Sequence, residues 1–130
     1  MPHELPDTAA ARVLRGNVHF NRGDFRRAVG DYDAALALDP KDQVALSNRA
    51  SAHYALGEDD AALKDVEEAL KLNPEDGRAY MTRGVVRMRL TKFEEAAADF
   101  TEAMKRLPPE PELLLSRGLV YVELKMFPEA

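Results

Sequence analysis

The residues of this chain that are best suited to chemistry are histidines, arginines and aspartates that recur at one interval. His19 and His53 are 34 residues apart and could lie side by side on neighbouring helices. A helical metal site usually has ligands at i and i+4 together with a third ligand, and no such cluster occurs here. We therefore predict that both histidines pack against neighbouring helices, and we expect no metal and no cofactor.

Arginine and aspartate share the same interval. One position of each segment is basic and another, sixteen residues later, is acidic: Arg15, Arg49, Arg83 and Arg117, with Asp31, Asp65 and Asp99. This pattern fits either a ligand surface or a repeated ion pair between packed helices. We favour the ion pair, because a charge buried alone is costly. The sequence leaves open whether each pair lies within one segment or between two.

Motifs for catalysis are missing from the sequence. There is no cysteine, no glycine-rich phosphate loop, no Gly-x-Ser-x-Gly and no paired carboxylates in a predicted cleft. The acidic run Glu58-Asp59-Asp60 falls at a turn, where it is expected to cap a helix. We predict that the protein is not an enzyme.

Composition excludes further classes. The chain has 130 residues, is 45% hydrophobic and 32% charged, and carries a net charge of −5. These values fit one globular domain and argue against a nucleic-acid binder, which needs a basic surface. No apolar run approaches the ~20 residues that cross a bilayer, and the N-terminus lacks a signal sequence. We expect a cytoplasmic protein with no nucleic-acid or membrane partner.

The elements that position these residues are short amphipathic helices in a repeated pair. The segment from Asn48 to Pro74 predicts two helices joined at Gly57, and a shift of 34 residues reproduces its small residues and prolines. The residues in register are Gly16, Ala50, Gly84 and Gly118; Ala28, Ala62, Ala96 and Ala130; Ala35, Ala69 and Ala103; and Pro40, Pro74 and Pro108. From about Ala9 onward, this pattern resembles the tetratricopeptide repeat family.

The resemblance implies an all-α, right-handed superhelical solenoid of antiparallel helix pairs, with about three and a half repeats. We predict a flexible arm at residues 1–8 and a repeat domain at 9–130, divided into 9–42, 43–76, 77–110 and a partial repeat 111–130. Asp7 or Thr8, Asp24, Asp42 and Asp76 are the expected helix caps. Small residues such as Gly16 and Ala28 are expected where the two helices of a pair approach closely. Tyr32, Val66 and Phe100 should fill the space between helices.

The last predicted helix, Glu112 to Lys125, is apolar on more than one side. A terminal helix of a repeat array should be polar on its outer face. We therefore predict either that the chain is part of a longer array or that the segment from Leu113 to Leu124 contacts a second copy as a homodimer.

In the family, the first helices line a concave groove that binds ligands. The residues that we expect to bind are Asn17, Phe20, Asn48, Ser51, Tyr54, Arg78, Met81, Met88 and Arg89. This mixture of amides, hydroxyls, apolar side chains and arginines suits an extended peptide. The function predicted is a non-catalytic scaffold that binds a peptide or protein segment.

Part of this surface also resembles the carboxylate clamp of co-chaperone tetratricopeptide domains, which holds the acidic C-termini of heat-shock chaperones. Asn17 and Asn48 match the clamp asparagines, and Arg78 matches a lysine by charge alone. Val13 and Thr82 stand where the clamp has cations, which should weaken capture of a C-terminus. A degenerate clamp and a self-associating spacer are the two alternative functions.

Overall fold

The computed structural model describes residues 8–107, which form six α-helices and no β-strand. The helices are α1 Ala9–Asn21, α2 Phe25–Leu38, α3 Gln43–Ala55, α4 Asp59–Leu72, α5 Gly77–Arg89 and α6 Phe93–Arg106. Their bounds agree with the predicted helix pairs. Residues up to Glu68 form one compact unit, called unit 1, and residues from Ala69 onward form a second, called unit 2.

The first helix of each pair is capped by a side chain, as expected. Thr8 Oγ1 accepts a hydrogen bond from the Ala11 amide, Asp42 from Ala45 and Asp76 from Ala79, each at 3.1 Å. The prediction that Asp24 caps α2 is wrong, because its side chain makes no capping hydrogen bond. Its ψ of 67° lies outside the extended region that a capping side chain normally requires.

The turns within the pairs need a left-handed backbone. Gly23 and Gly57 have φ of 82° and 78°, and Thr91 fills the same position in the third pair with φ of 61°. Glycine adopts this conformation freely, whereas a β-branched threonine is strained there. The third turn is therefore less well suited to its sequence than the first two.

Each unit has its own apolar core. In unit 1, Ala28, Tyr32, Ala35, Ala45 and Ala52 are almost completely buried where α1, α2 and α3 meet. In unit 2, the core lies between α5 and α6 and includes residues Phe93, Ala96, Phe100 and Ala103. Tyr32, Val66 and Phe100 share one register and are all at most 1% exposed, as predicted.

The glycines at the first small position make room for an aromatic ring. A Cβ on Gly16 would lie 2.5 Å from Cε1 of Tyr32, and one on Gly84 would lie 2.6 Å from Cε1 of Phe100. The sequence suggested that Gly16 was required by the backbone of the partner helix. The nearest obstacle is instead the ring four residues beyond Ala28.

Some predictions concern residues outside the described range. They are the N-terminal arm through residue 7, Arg117 of the basic series, and the apolar helix from Glu112 to Lys125 with its proposed contact. No helix within residues 8–107 has the length and apolar character needed to span a membrane.

Candidate functional site

In unit 1 the two predicted clamp asparagines are hydrogen-bonded to each other. Asn17 lies on α1 and Asn48 on α3, and Nδ2 of Asn48 donates to Oδ1 of Asn17 at 2.9 Å. Both side chains are half-buried. The stacking of α3 beside α1 therefore brings together two residues that are 31 positions apart in the sequence.

A third member of this network was missed by the sequence analysis. The hydroxyl of Tyr32, on α2, donates to the same Oδ1 of Asn17 at 2.6 Å. Burial, with a smaller contribution from the charge of Asp31, raises the pKa of Tyr32 to about 12. The hydroxyl therefore keeps its proton at any physiological pH. The only sequence signal for this role is a tyrosine at a register position that holds valine and phenylalanine elsewhere.

The other predicted residues of unit 1 are half-buried rather than fully exposed. Phe20 packs against the core, and its ring meets Phe25 edge to face with centroids 5.2 Å apart. The Ser51 hydroxyl lies 3.4 Å from the carbonyl oxygen of Ser47, one helical turn earlier. Tyr54 is also half-buried. Phe20 therefore contributes to the core as well as to the surface.

In unit 2 the predicted arginines and methionines lie in different surroundings. Arg78 and Arg89 are exposed on α5, whereas Met81 and Met88 are half-buried and pack against the core around Phe93 and Phe100. The two positions at which the clamp cations are replaced are both buried, with Val13 at 7% and Thr82 at 9% exposure. The uncharged residues at these positions therefore contribute mainly to packing.

The repeated arginines and aspartates form ion pairs within each repeat. Arg15 Nη2 lies 2.7 Å from Asp31, Arg49 Nε lies 2.7 Å from Asp65, and Arg83 Nη2 lies 2.8 Å from Asp99. The aspartates are buried, and each pair joins the two helices of one repeat. This confirms the prediction of an interhelical ion pair and answers which helices it joins.

The histidines approach the same buried aspartates from one turn further along the helix. His19 Nε2 lies 3.5 Å from Asp31 Oδ2, and His53 Nε2 lies 3.6 Å from Asp65 Oδ2. In the third repeat this position is Arg87, whose Nη1 lies 2.8 Å from Asp99 Oδ2. The prediction that the histidines pack against a neighbouring helix is confirmed. No group of three potential metal ligands occurs within residues 8–107.

Glu58 has a different role from the one predicted for the acidic run. Its carboxylate lies 2.9 Å from Nδ1 of His53 and 2.9 Å from Nη1 of Arg26. The hydrogen bond from His53, followed by that from Arg26, lowers the pKa of Glu58. The side chain thus links the turn before α4 to α3 and α2.

A profile of the tetratricopeptide repeat matches the chain in overlapping segments, at residues 3–43, 13–77, 48–111 and 81–130. With the helix pairs and the register of small residues described above, this match covers most of the chain. The protein therefore belongs to the tetratricopeptide repeat family.

Solved structures of similar fold come from proteins that bind chaperones. The first tetratricopeptide domain of Spaghetti (RPAP3), bound to the HSP90 peptide SRMEEVD, is 29% identical with a TM-score of 0.85, covering 96% of this chain and 99% of that one. The first domain of human RPAP3 is 30% identical with a TM-score of 0.85, covering 94% and 96%. The second human RPAP3 domain, in complex with the HSP70 peptide SGPTIEEVD, is 26% identical with a TM-score of 0.76, covering 87% and 98%. No curated protein sequence is significantly similar to the chain.

These likenesses define the general class of the molecule. The tetratricopeptide fold is a non-catalytic scaffold for protein interactions, and the chain has that fold over the residues described.

Proposed function

We propose that the chain binds an extended peptide segment on the surface formed by the first helices of its repeats. The observation that carries the proposal is the hydrogen-bonded pair of Asn17 and Asn48. Two half-buried amides that are fixed against each other can hydrogen-bond a peptide with little loss of side-chain entropy. The similar RPAP3 domains that were solved with chaperone peptides support the same function.

Each unit offers its own part of the surface. In unit 1, Ser51 and Tyr54 lie on α3 with Asn48, and Phe20 lies one turn beyond Asn17 on α1. In unit 2, Met81 and Met88 offer adaptable apolar side chains, and Arg78 and Arg89 offer positive charge. These nine residues remain our proposed contact set.

A chaperone C-terminus is the second candidate ligand. It is favoured by the match of Asn17 and Asn48 to the clamp and by the exposed guanidinium of Arg78. It is disfavoured by Val13 and Thr82, which supply no charge where the clamp has cations. We therefore expect binding of an acidic C-terminus that is weaker than a complete clamp would give.

Fluorescence anisotropy with the peptide SRMEEVD, as the free acid and as the C-terminal amide, tests both candidates. If the carboxylate is captured, the free acid should bind at least about tenfold more tightly than the amide, because charge-assisted hydrogen bonds are the strong ones. Similar affinity for both forms would favour recognition of an internal segment. No binding of either form would exclude this chaperone ligand.

Matched variants test the location of the site. Asn17→Ala and Asn48→Ala should each weaken binding by about threefold to tenfold, which is the net worth of one hydrogen bond. Asn73→Ala removes an exposed asparagine from the loop before α5 and should leave the affinity unchanged. Unchanged affinity in the Asn17 and Asn48 variants would contradict the proposed site.

Self-association as a spacer stays a prediction, because its contact segment from Leu113 to Leu124 lies outside residues 8–107. Light scattering at increasing protein concentration would test it. A constant mass over the whole range would argue against the homodimer.

A further inference from the structure

Two hydrogen bonds hold the side-chain amide of Asn17. Its Oδ1 lies 2.6 Å from the Tyr32 hydroxyl and 2.9 Å from Nδ2 of Asn48. An asparagine amide could be turned so that its oxygen and nitrogen exchange places, and the correct orientation follows from the partners. The orientation matters because it determines whether a ligand meets N–H groups or an oxygen.

The Tyr32 hydroxyl determines this orientation. Tyr32 is 1% exposed, so its proton needs an acceptor within the protein, and the oxygen of Asn17 supplies one. With the amide reversed, the hydroxyl could accept from the nitrogen of Asn17, but its own proton would then lose this acceptor. The 2.6 Å separation suits an O–H···O bond, which spans about 2.5–3.0 Å, better than an N–H···O bond at about 2.7–3.2 Å.

The oxygen of Asn17 then accepts two hydrogen bonds and has little capacity left. Nδ2 of Asn17 keeps two hydrogens, and Asn48 keeps one N–H and one oxygen. Within residues 8–107, the pair therefore offers a ligand more donors than acceptors. A carboxylate or a peptide carbonyl matches that surplus, whereas a ligand ammonium group does not.

We infer that Tyr32 is a positioning residue, which fixes the amide of Asn17 with its N–H groups available and thereby makes this site select a hydrogen-bond acceptor. The presence of a peptide ligand rests on the proposed function. The orientation of Asn17 rests on the contacts of Tyr32 and Asn48 alone.

The third repeat shows that the hydroxyl of Tyr32 can be removed without disturbing the packing. Phe100 lies at the same register position and is fully buried. The distances of the two rings from a Cβ on Gly84 and on Gly16 differ by only 0.1 Å, at 2.6 Å and 2.5 Å. Tyr32→Phe should therefore fold and lose only the hydrogen bond to Asn17.

The first measurement needs no ligand. In the ¹⁵N-labelled full chain, the side-chain NH₂ signals of Asn17 should shift and exchange faster with water in Tyr32→Phe than in the wild type. Tyr80→Phe removes a hydroxyl from unit 2 and should leave these signals in place. Signals of Asn17 that are the same in Tyr32→Phe and the wild type would overturn the inference.

The second measurement is binding of the SRMEEVD free acid. Tyr32→Phe should bind about threefold to tenfold more weakly than the wild type, and Tyr80→Phe should bind equally well. Asn17→Asp, which places oxygen where the N–H groups were, should bind more weakly than Asn17→Ala. A purely structural role of Tyr32 would not predict this order.

The outcomes separate the two proposals. Equal affinity of wild type and Tyr32→Phe would overturn the role of Tyr32 and leave the proposed function standing. If the wild type does not bind the peptide, the chaperone ligand is wrong, and the Asn17 signals still decide whether Tyr32 orients that amide.

Discussion

At the scale of single residues, the buried aspartates show how charge is accommodated in a helical core. Asp31, Asp65 and Asp99 each meet a side chain from two positions of one helix, four residues apart. The arginine position is constant, while the second position is histidine twice and arginine once. Because a lone buried carboxylate is strongly unfavourable, this second contact helps to compensate for its desolvation.

Glu58 carries a testable consequence of the same chemistry. Hydrogen bonds from His53 and Arg26 hold the pKa of Glu58 below its ordinary value. A carboxyl with a lowered pKa in the folded state stabilises the fold above its ordinary pKa, and this contribution is lost as the pH falls through the lowered value. Glu58→Gln should therefore be less stable than the wild type at pH 7, and the difference should shrink in acid.

Urea unfolding at a series of pH values measures the Glu58 effect. Glu94→Gln is the matched control, because Glu94 is exposed in the first turn of α6 and should give little dependence of this kind. A stability difference between wild type and Glu58→Gln that stays constant into acid would show that the ion pairs of Glu58 do not stabilise the fold.

Residue types in register allowed the ion pairs to be predicted, because a fixed period places like residues in like surroundings. The pairing of Asn17 with Asn48 was implied only through the family resemblance. The part played by Tyr32 could not be predicted, since a tyrosine at a core position predicts packing and says nothing about the partner of its hydroxyl. Arg87 was missed because its type differs from that of the histidines in the same register.

At the scale of the helix pair, a small residue on the first helix is matched to the size of a residue on the second. Gly16 and Gly84 lie beneath the rings of Tyr32 and Phe100. In the second repeat the corresponding residues are Ala50 and Val66, both fully buried. Close packing requires the two positions to vary together. The sequence showed that both positions recur but not that one limits the other.

This matching predicts an interaction between two substitutions. Gly84→Ala should destabilise the protein by about 1–3 kcal/mol, because its Cβ would overlap the Phe100 ring. Phe100→Val should cost about 2–4 kcal/mol by leaving a cavity. Together they reproduce the Ala50–Val66 combination, and the double variant should lose less than the sum by about 0.5–3 kcal/mol.

Urea unfolding of the two single variants and the double variant measures this coupling. Gly30→Ala is the control, because Gly30 is exposed within α2 and a Cβ added there would meet no atom within 4 Å. Alanine at this position should stabilise the helix by about 0.5–1 kcal/mol. Strictly additive effects of Gly84→Ala and Phe100→Val would show that the ring is not the reason for the glycine.

At the scale of the whole molecule, the repeat period predicted the fold well, because each helix pair follows the same rules of spacing, capping and burial. It predicted less of the site. Binding depends on which side chains differ between repeats, such as Val13 and Thr82, and periodicity carries no information about such differences. Their burial is set by the packing of complete units and becomes visible only in the structure.

The charge of the molecule leads to a last prediction about how a peptide is held. The chain has a net charge of −5, and two clamp positions lack cations. If SRMEEVD is held mainly by the neutral amides of Asn17 and Asn48, raising the salt from about 50 mM to about 500 mM should weaken binding by less than about threefold, because screening acts on charges. Any remaining salt dependence should disappear in Arg78→Gln, and the amidated peptide should show less of it than the free acid. A loss of more than about tenfold in the wild type would instead mean that cations, rather than the amide pair, dominate recognition.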